Sequence, residues 1–142
     1  EKIGDKIPLL YSSYSWRKLG AFWKANFNET AKTPAYWNYL PILAHDELAM
    51  YARTGLPFYP IFFRDEHDAD HSLRDIDTAI AILNKQEYNY SIVNISSSDL
   101  ILERILNNYL LALWTSFYLA KKIGVDPEDI SLIQEFKKLK TR

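Results

Sequence analysis

The feature that most restricts the fold is an alternation that occurs three times: a short, nearly continuous apolar run, then a stretch whose apolar residues recur every three or four positions. Residues 6–13 (KIPLLYSS) precede Trp16, Leu19, Phe22, Trp23 and Phe27; residues 58–63 (FYPIFF) precede Leu73, Ile76, Ile80 and Leu83; residues 88–95 precede a long helix expected over about 100–122. Continuous runs of this length suit strands buried on both faces, and the wider spacing suits amphipathic helices. Strands alternating with helices predict an α/β fold, a doubly wound parallel sheet covered by helices on both faces. Pro60 weakens the case for a central position of the second strand, because a proline cannot donate to a ladder. The cluster 96–99 (SSSD) supplies N-caps for the long helix and Gly124 its stop. Asp126-Pro127 opens a last helix carrying Ile130, Ile133, Phe136 and Leu139.

No repeat, low-complexity tract or linker interrupts the 142 residues, so a single domain over 1–142 is expected. The chain opens on Glu1 with an apolar run close behind, as a piece of a longer protein would. A net charge of −1 offers no basic field for nucleic acid or anionic lipid. Without cysteine there is neither a disulfide framework nor thiolate chemistry, and with no leader visible the expected location is cytoplasmic. The longest apolar stretch, 100–120, contains Glu103, Arg104, Asn107 and Asn108, which argues for a buried helix over a membrane span. Its apolar residues fall on more than one face, so self-association through this helix is expected as well. The aromatic share of 15% points the same way, toward large buried or interfacial surfaces.

Several residues have the right types for chemistry. Glu29 follows an amphipathic helix, where an isolated acid is ordinarily a solvated surface group. His45 precedes a segment, 46–54, that reads as a short helix. At a helix N-terminus the dipole disfavours a protonated ring and leaves an imidazole able to pass a proton, although a capping or packing histidine fits equally well. The segment RDEHDADH (64–71) places His67 and His71 at a spacing suited to one helical face. It has no thiol and no fixed zinc pattern, and a solvated loop with a helix cap is the better reading, so no metal is assigned. In such sheets ligands bind beyond the carboxyl ends of the strands, in this chain Ser12-Ser13, Arg64-Asp65 and 96–99. Ser12, Ser13 and Ser15 could cradle an anion there, though without a glycine-rich loop helix capping is the simpler role. In the last helix Lys137 shares the face of Ile133 and is the lysine most apt to point inward, Lys138 and Lys140 being less tied to that face; a lysine snorkelling at a helix end is the plainer account.

These pieces, in order, resemble the C-terminal half of the bifunctional phosphoglucose/phosphomannose isomerases of the sugar isomerase (SIS) superfamily. IPLLYSS stands where that family has its first strand and turn. FWKANFNETAKTPAYW is similar to its W-K-x-x-x-N-E-x-A-K-x-P-A signature, and LPILAHDEL to its P-E-L-x-H-N-E segment. FFRDEHDADHSLR resembles its R-D-x-x-D-H run, and GVDPEDISLIQEFKKL its closing G-x-D-P helix. The resemblance implies an SIS-type domain that works with an N-terminal SIS half, of the same or another chain, which carries the phosphate-binding loops and lies outside these residues. It implies interconversion of glucose 6-phosphate, and of mannose 6-phosphate, with fructose 6-phosphate through an enediolate. Glu29 matches the base that moves the proton between C1 and C2. His45, supplied by a neighbouring subunit, and Lys137 match groups linked with ring opening. It further implies a homodimer and no metal or organic cofactor. Where the family usually has a threonine near the start of the last helix, this chain has Glu128 and Asp129, which weakens the expectation for the mannose epimer. The other reading is a non-catalytic sugar-phosphate-binding or dimerisation module.

Overall fold

The computed structural model describes residues 3–95 and 97–140. It contains four parallel strands, β1 (Ile7–Ser13), β2 (Tyr36–Leu40), β3 (Phe58–Arg64) and β4 (Ser91–Asn94), in the order β2-β1-β3-β4. The helices are α1 (Arg17–Glu29), α2 (Ile42–Asp46), α3 (Asp70–Lys85), α4 (Ile101–Ile123) and α5 (Ser131–Lys140), with a 3₁₀ turn at Leu48–Ala52. The register runs Leu9 beside Tyr36, Ile7 beside Phe58, and Ile61 beside Ser91.

Side chains alternate across a strand, and the two sets of apolar positions feed two cores. Leu10, Tyr59, Ile61 and Phe63 pack under Leu19, Trp23 and Phe27 of α1 and Ala112 and Ala120 of α4. Leu9, Tyr11 and Phe62 face the other way, toward Leu43 of α2, Tyr51, and Ile76, Ala79, Ile80 and Leu83 of α3. The chain steps from β1 to β2 over one face and from β3 to β4 over the other, so the sheet is doubly wound, as the alternation predicts. Its switch point lies between the carboxyl ends of β1 and β3.

Three of the four strands coincide with the apolar runs. Pro60 proves compatible with a central strand: β3 lies between β1 and β4, but its ladder with β4 begins at Ile61, so the ring sits where β3 has one neighbour. The strand not foreseen is β2, an edge strand whose Tyr36 is exposed and whose Trp37, Asn38 and Tyr39 are half-buried. Of the cap cluster, Ser98 acts: its hydroxyl accepts from the Leu100 N–H and donates to Glu103, 2.6 Å away. Ser96 lies outside the described residues.

Helix α4 corrects the expectation of a buried helix. It turns a stripe of mostly small residues inward, Asn108, Ala112, Ser116 and Ala120, each one turn after the last. These allow α4 close against α1, where Phe22 and Tyr109 stack. Leu102, Leu106, Leu110, Trp114 and Tyr118 are all more than half exposed. The periodicity marks an apolar helix correctly, but most of its apolar surface has no cover among the described residues.

The switch point is closed by a buried carboxylate. Asp65, 2% exposed, follows β3. One of its oxygens accepts from the Trp16 indole N–H at 2.8 Å and from the Arg104 guanidinium at 2.6 Å. The other accepts from the His67 backbone N–H and faces the His67 ring at 3.3 Å. Asp65 therefore ties the β1–α1 turn and α4 to the end of β3. His67 sits in this loop and His71 within α3, so the two do not share a helical face, and no group of three or more metal-ligating side chains gathers among the described residues.

Candidate active site at the α1–α5 groove

Glu29 is the last residue of α1, and the way α1 ends decides its surroundings. Thr30 continues in a helical conformation, then Lys32 takes a left-handed turn at φ +50°. The turn lets the Thr33 N–H bond back to the Phe27 carbonyl and the Asn28 amide donate to the Thr33 carbonyl, before Pro34 makes further helix unfavourable. The carboxylate of Glu29 is left exposed at the mouth of an open groove of about 300 Å³. Asn28, Glu29 and Lys32 form one wall, and residues 129–133, the approach and first turn of α5, form the other.

The walls are joined by Lys32, whose ammonium donates to the Glu29 carbonyl and, at 2.7 Å, to the Asp129 carbonyl. Asp129 in turn starts α5. Its carboxylate accepts from the Ser131 backbone N–H at 2.9 Å. That bond, then the Ser131 hydroxyl, and to a smaller extent the Lys32 charge, hold Asp129 below the usual carboxylate value. Lys137 lies one turn beyond Ile133 on the same helix. The inward-pointing lysine is not found, because every residue of α5 is exposed and the stripe of Ile133, Phe136 and Leu139 faces solvent.

His45 is elsewhere. Helix α2 begins at Ile42, directly after Pro41, so His45 falls in its last turn and not at the N-terminus of a helix over 46–54. Proline at the helix boundary fixed the start, and the dipole argument for the ring does not apply. The ring is exposed, on the loop side of β2's carboxyl end. Because α1 runs back along the sheet from the carboxyl end of β1, and its 13 residues span about 20 Å, Glu29 lies at the opposite, amino-terminal end of the strands. One chain therefore keeps Glu29 and His45 apart, while Glu29 shares its groove with the helix that carries Lys137.

The three serines stand at the same, carboxyl-terminal end of the strands as His45. Ser12 and Ser13 are buried within the sheet, with the Ser12 hydroxyl donating to the Ser13 carbonyl, and Ser15 is exposed. No open cradle forms from the three. What sequence reasoning passed over was the anchoring of the histidine segment. Glu47 accepts from the Tyr11 hydroxyl at 2.7 Å and from the Asn38 amide at 2.8 Å, and Tyr11 also meets the Tyr51 hydroxyl at 2.9 Å. Burial, then the neighbouring Tyr51 and Glu47, pushes the Tyr11 hydroxyl far above its ordinary value, and burial raises Tyr51 as well. The signal was present in the acid two residues after His45. Lys32 was visible too, within the NETAK run, but a lysine in a loop carries no local pattern that predicts two carbonyl partners.

A bifunctional phosphoglucose/phosphomannose isomerase of Thermoplasma volcanium is 34% identical over 140 residues, 95% of this chain and 43% of that protein. A D-glucosamine-6-phosphate 4-epimerase of Sulfolobus acidocaldarius is 28% identical over 96% of this chain and 40% of its own length. A crystal structure of a hypothetical protein from Thermus thermophilus shares the fold with a TM-score of 0.79 at 10% identity, covering 96% of this chain and 41% of that one. The chain thus spans less than half the length of the curated relatives it matches. The family model described as bacterial phospho-glucose isomerase C-terminal SIS domain matches residues 1–139, and the chain belongs to that family.

Proposed function

We propose that this domain is the C-terminal half of an aldose–ketose isomerase that interconverts glucose 6-phosphate, with mannose 6-phosphate as a further candidate, and fructose 6-phosphate. The observation that carries the reading is the exposed carboxylate of Glu29 at the mouth of the α1–α5 groove. An aldose-to-ketose shift needs one carboxylate within reach of both C1 and C2, which takes the proton from one carbon and returns it to the other while the enediolate forms and collapses. Glu29 has the chemistry and the access for this role. Opening the ring needs an acid and a base at the ring oxygen and the C1 hydroxyl, roles that fall to His45 and Lys137. Lys137 is on the helix that walls the groove. His45, at the carboxyl end of the strands, would come from a second copy of the chain, so the working enzyme is read as a homodimer.

The phosphate is assigned to an N-terminal SIS half. Distant binding energy of this kind is what sets the reacting carbons against the carboxylate. A coupled assay of fructose 6-phosphate conversion, run on these 142 residues and on the complete chain, tests the reading. Turnover only in the complete chain is expected, and robust turnover by the domain alone would contradict the division of labour. The exposed apolar face of α4 favours a second reading, a non-catalytic sugar-phosphate-binding or assembly module. A complete chain that binds fructose 6-phosphate without turning it over would select that one.

A further inference from the structure

We infer that Lys32 is a positioning residue of the reaction: its ammonium fixes the wall formed by the start of α5 against the end of α1, and so sets where the Glu29 carboxylate meets the substrate. The inference rests on the isomerase reading. Three observations carry it. Lys32 Nζ bonds the carbonyl of Glu29 itself and the carbonyl of Asp129, 97 positions away from Lys32 in sequence, so one side chain spans the two walls of the groove. No side chain of α5 is buried, every residue from Ser131 to Lys140 being exposed, so the helix is not anchored by a core of its own. Finally, Lys32 occupies a left-handed backbone conformation, φ +50°, that glycine adopts without cost and a lysine does not. The two bonds of its side chain offset that backbone cost, which glycine would avoid but could not match with such bonds.

The geometry separates positioning from binding. The ammonium is directed at two peptide carbonyls, one at the C-terminal end of α1, where the unpaired carbonyls of the helix favour a cation, and one in the approach to α5. Removing it frees the second wall to shift relative to the carboxylate. A displacement of about 1 Å at a reacting centre can cost ~10²-fold in rate without touching the groups that hold the phosphate.

Glycine is the informative replacement, because Lys32→Gly removes the ammonium while suiting the backbone of the turn. The test measures kcat and KM for fructose 6-phosphate in the complete enzyme for Lys32→Gly, Lys32→Arg and Glu29→Gln. Lys32→Gly is expected to lower kcat roughly ten- to hundredfold with KM within about twofold, and Lys32→Arg, which can reach both carbonyls, to recover most of it. An unchanged kcat in Lys32→Gly, with Glu29→Gln inactive, would overturn the role of Lys32 and leave the isomerase reading standing. A rise in KM with kcat kept would overturn it in favour of direct substrate binding. Full turnover in Glu29→Gln would overturn both, since there would be no base for Lys32 to position.

Discussion

Replacing Asp65 by Asn tests whether the switch point is held by a buried ion pair or merely filled. The side chain keeps its size but loses its charge, and its new amide must face either the donors Trp16 Nε1 and Arg104 Nη1 or the His67 N–H. Either way a buried donor loses its acceptor, which costs about 1–3 kcal/mol. Arg104, at 12% side-chain exposure, is left without its counter-charge, and breaking a buried pair from one side costs about 3–5 kcal/mol in all. An unfolding entropy of ~2.1 cal/mol/K per residue gives a chain of 142 residues ~0.3 kcal/mol/K, so Tm should fall by roughly 10–17 °C. Thermal and urea unfolding supply the numbers, with Asp77→Asn as an internal comparison. That residue pairs with Arg64 at the surface, its side chain 54% exposed, and should cost less than about 1 kcal/mol. Adding Arg104→Met to Asp65→Asn should recover part of the loss, because no charge is then stranded. A loss below about 1 kcal/mol for Asp65→Asn, or a double variant whose losses simply add, would show a switch point that is filled and not held by the ion pair.

Three shorter expectations follow from other parts of the fold. Ala112→Leu puts extra volume into the narrow seam between α4 and α1 and should destabilise the domain by about 1–3 kcal/mol in urea, whereas Leu110→Gln on the open face of the same helix should not. Tyr11 and Tyr51 stay neutral in the fold to well above pH 10, while unfolded tyrosines ionise near pH 10; their contribution is therefore fully present below pH 10 and is lost as pH rises past it, at up to ~1.4 kcal/mol per pH unit per group. Tyr51→Phe should flatten that slope in denaturation series at about pH 9, 10 and 11. The domain alone should associate in analytical ultracentrifugation through the α4 face, and Leu110→Glu with Trp114→Glu should return it to monomer; a monomeric starting protein at high concentration would count against this.

The sequence was most informative where burial was complete. β1 and β3 are enclosed on both faces, so their apolar runs were continuous and their ends fell within a residue of the observed strands. β2 escaped because an edge strand is half wet, and its Tyr36-Trp37-Asn38-Tyr39 run alternates too weakly to separate it from an aromatic loop. The histidine segment was misread because Asp46 and Glu47 resemble a helix start, whereas Pro41 sets that start and Glu47 is turned inward to Tyr11. For α4 and α5 the obstacle is of another kind. Periodicity reports which residues are apolar on one face, not whether another element covers them, and among the described residues those of α4 and α5 are largely uncovered. The Glu29 groove was legible as a motif and not as geometry, because its second wall arrives from residues 129–133 through the bond Lys32 makes to Asp129.

The role proposed for the Glu29 carboxylate, carrying the proton between C1 and C2, is tested by following that proton. Sugar phosphate is incubated in deuterated solvent with the complete enzyme and with its Glu29→Gln variant, and deuterium entering C1 and C2 is read by NMR. Gln keeps the size of the side chain and most of its hydrogen bonds but cannot act as the base, so exchange should fall by ~10² to 10⁴ while fold and sugar-phosphate affinity hold. Undiminished exchange in Glu29→Gln would contradict the account and return Glu29 to the status of a surface acid.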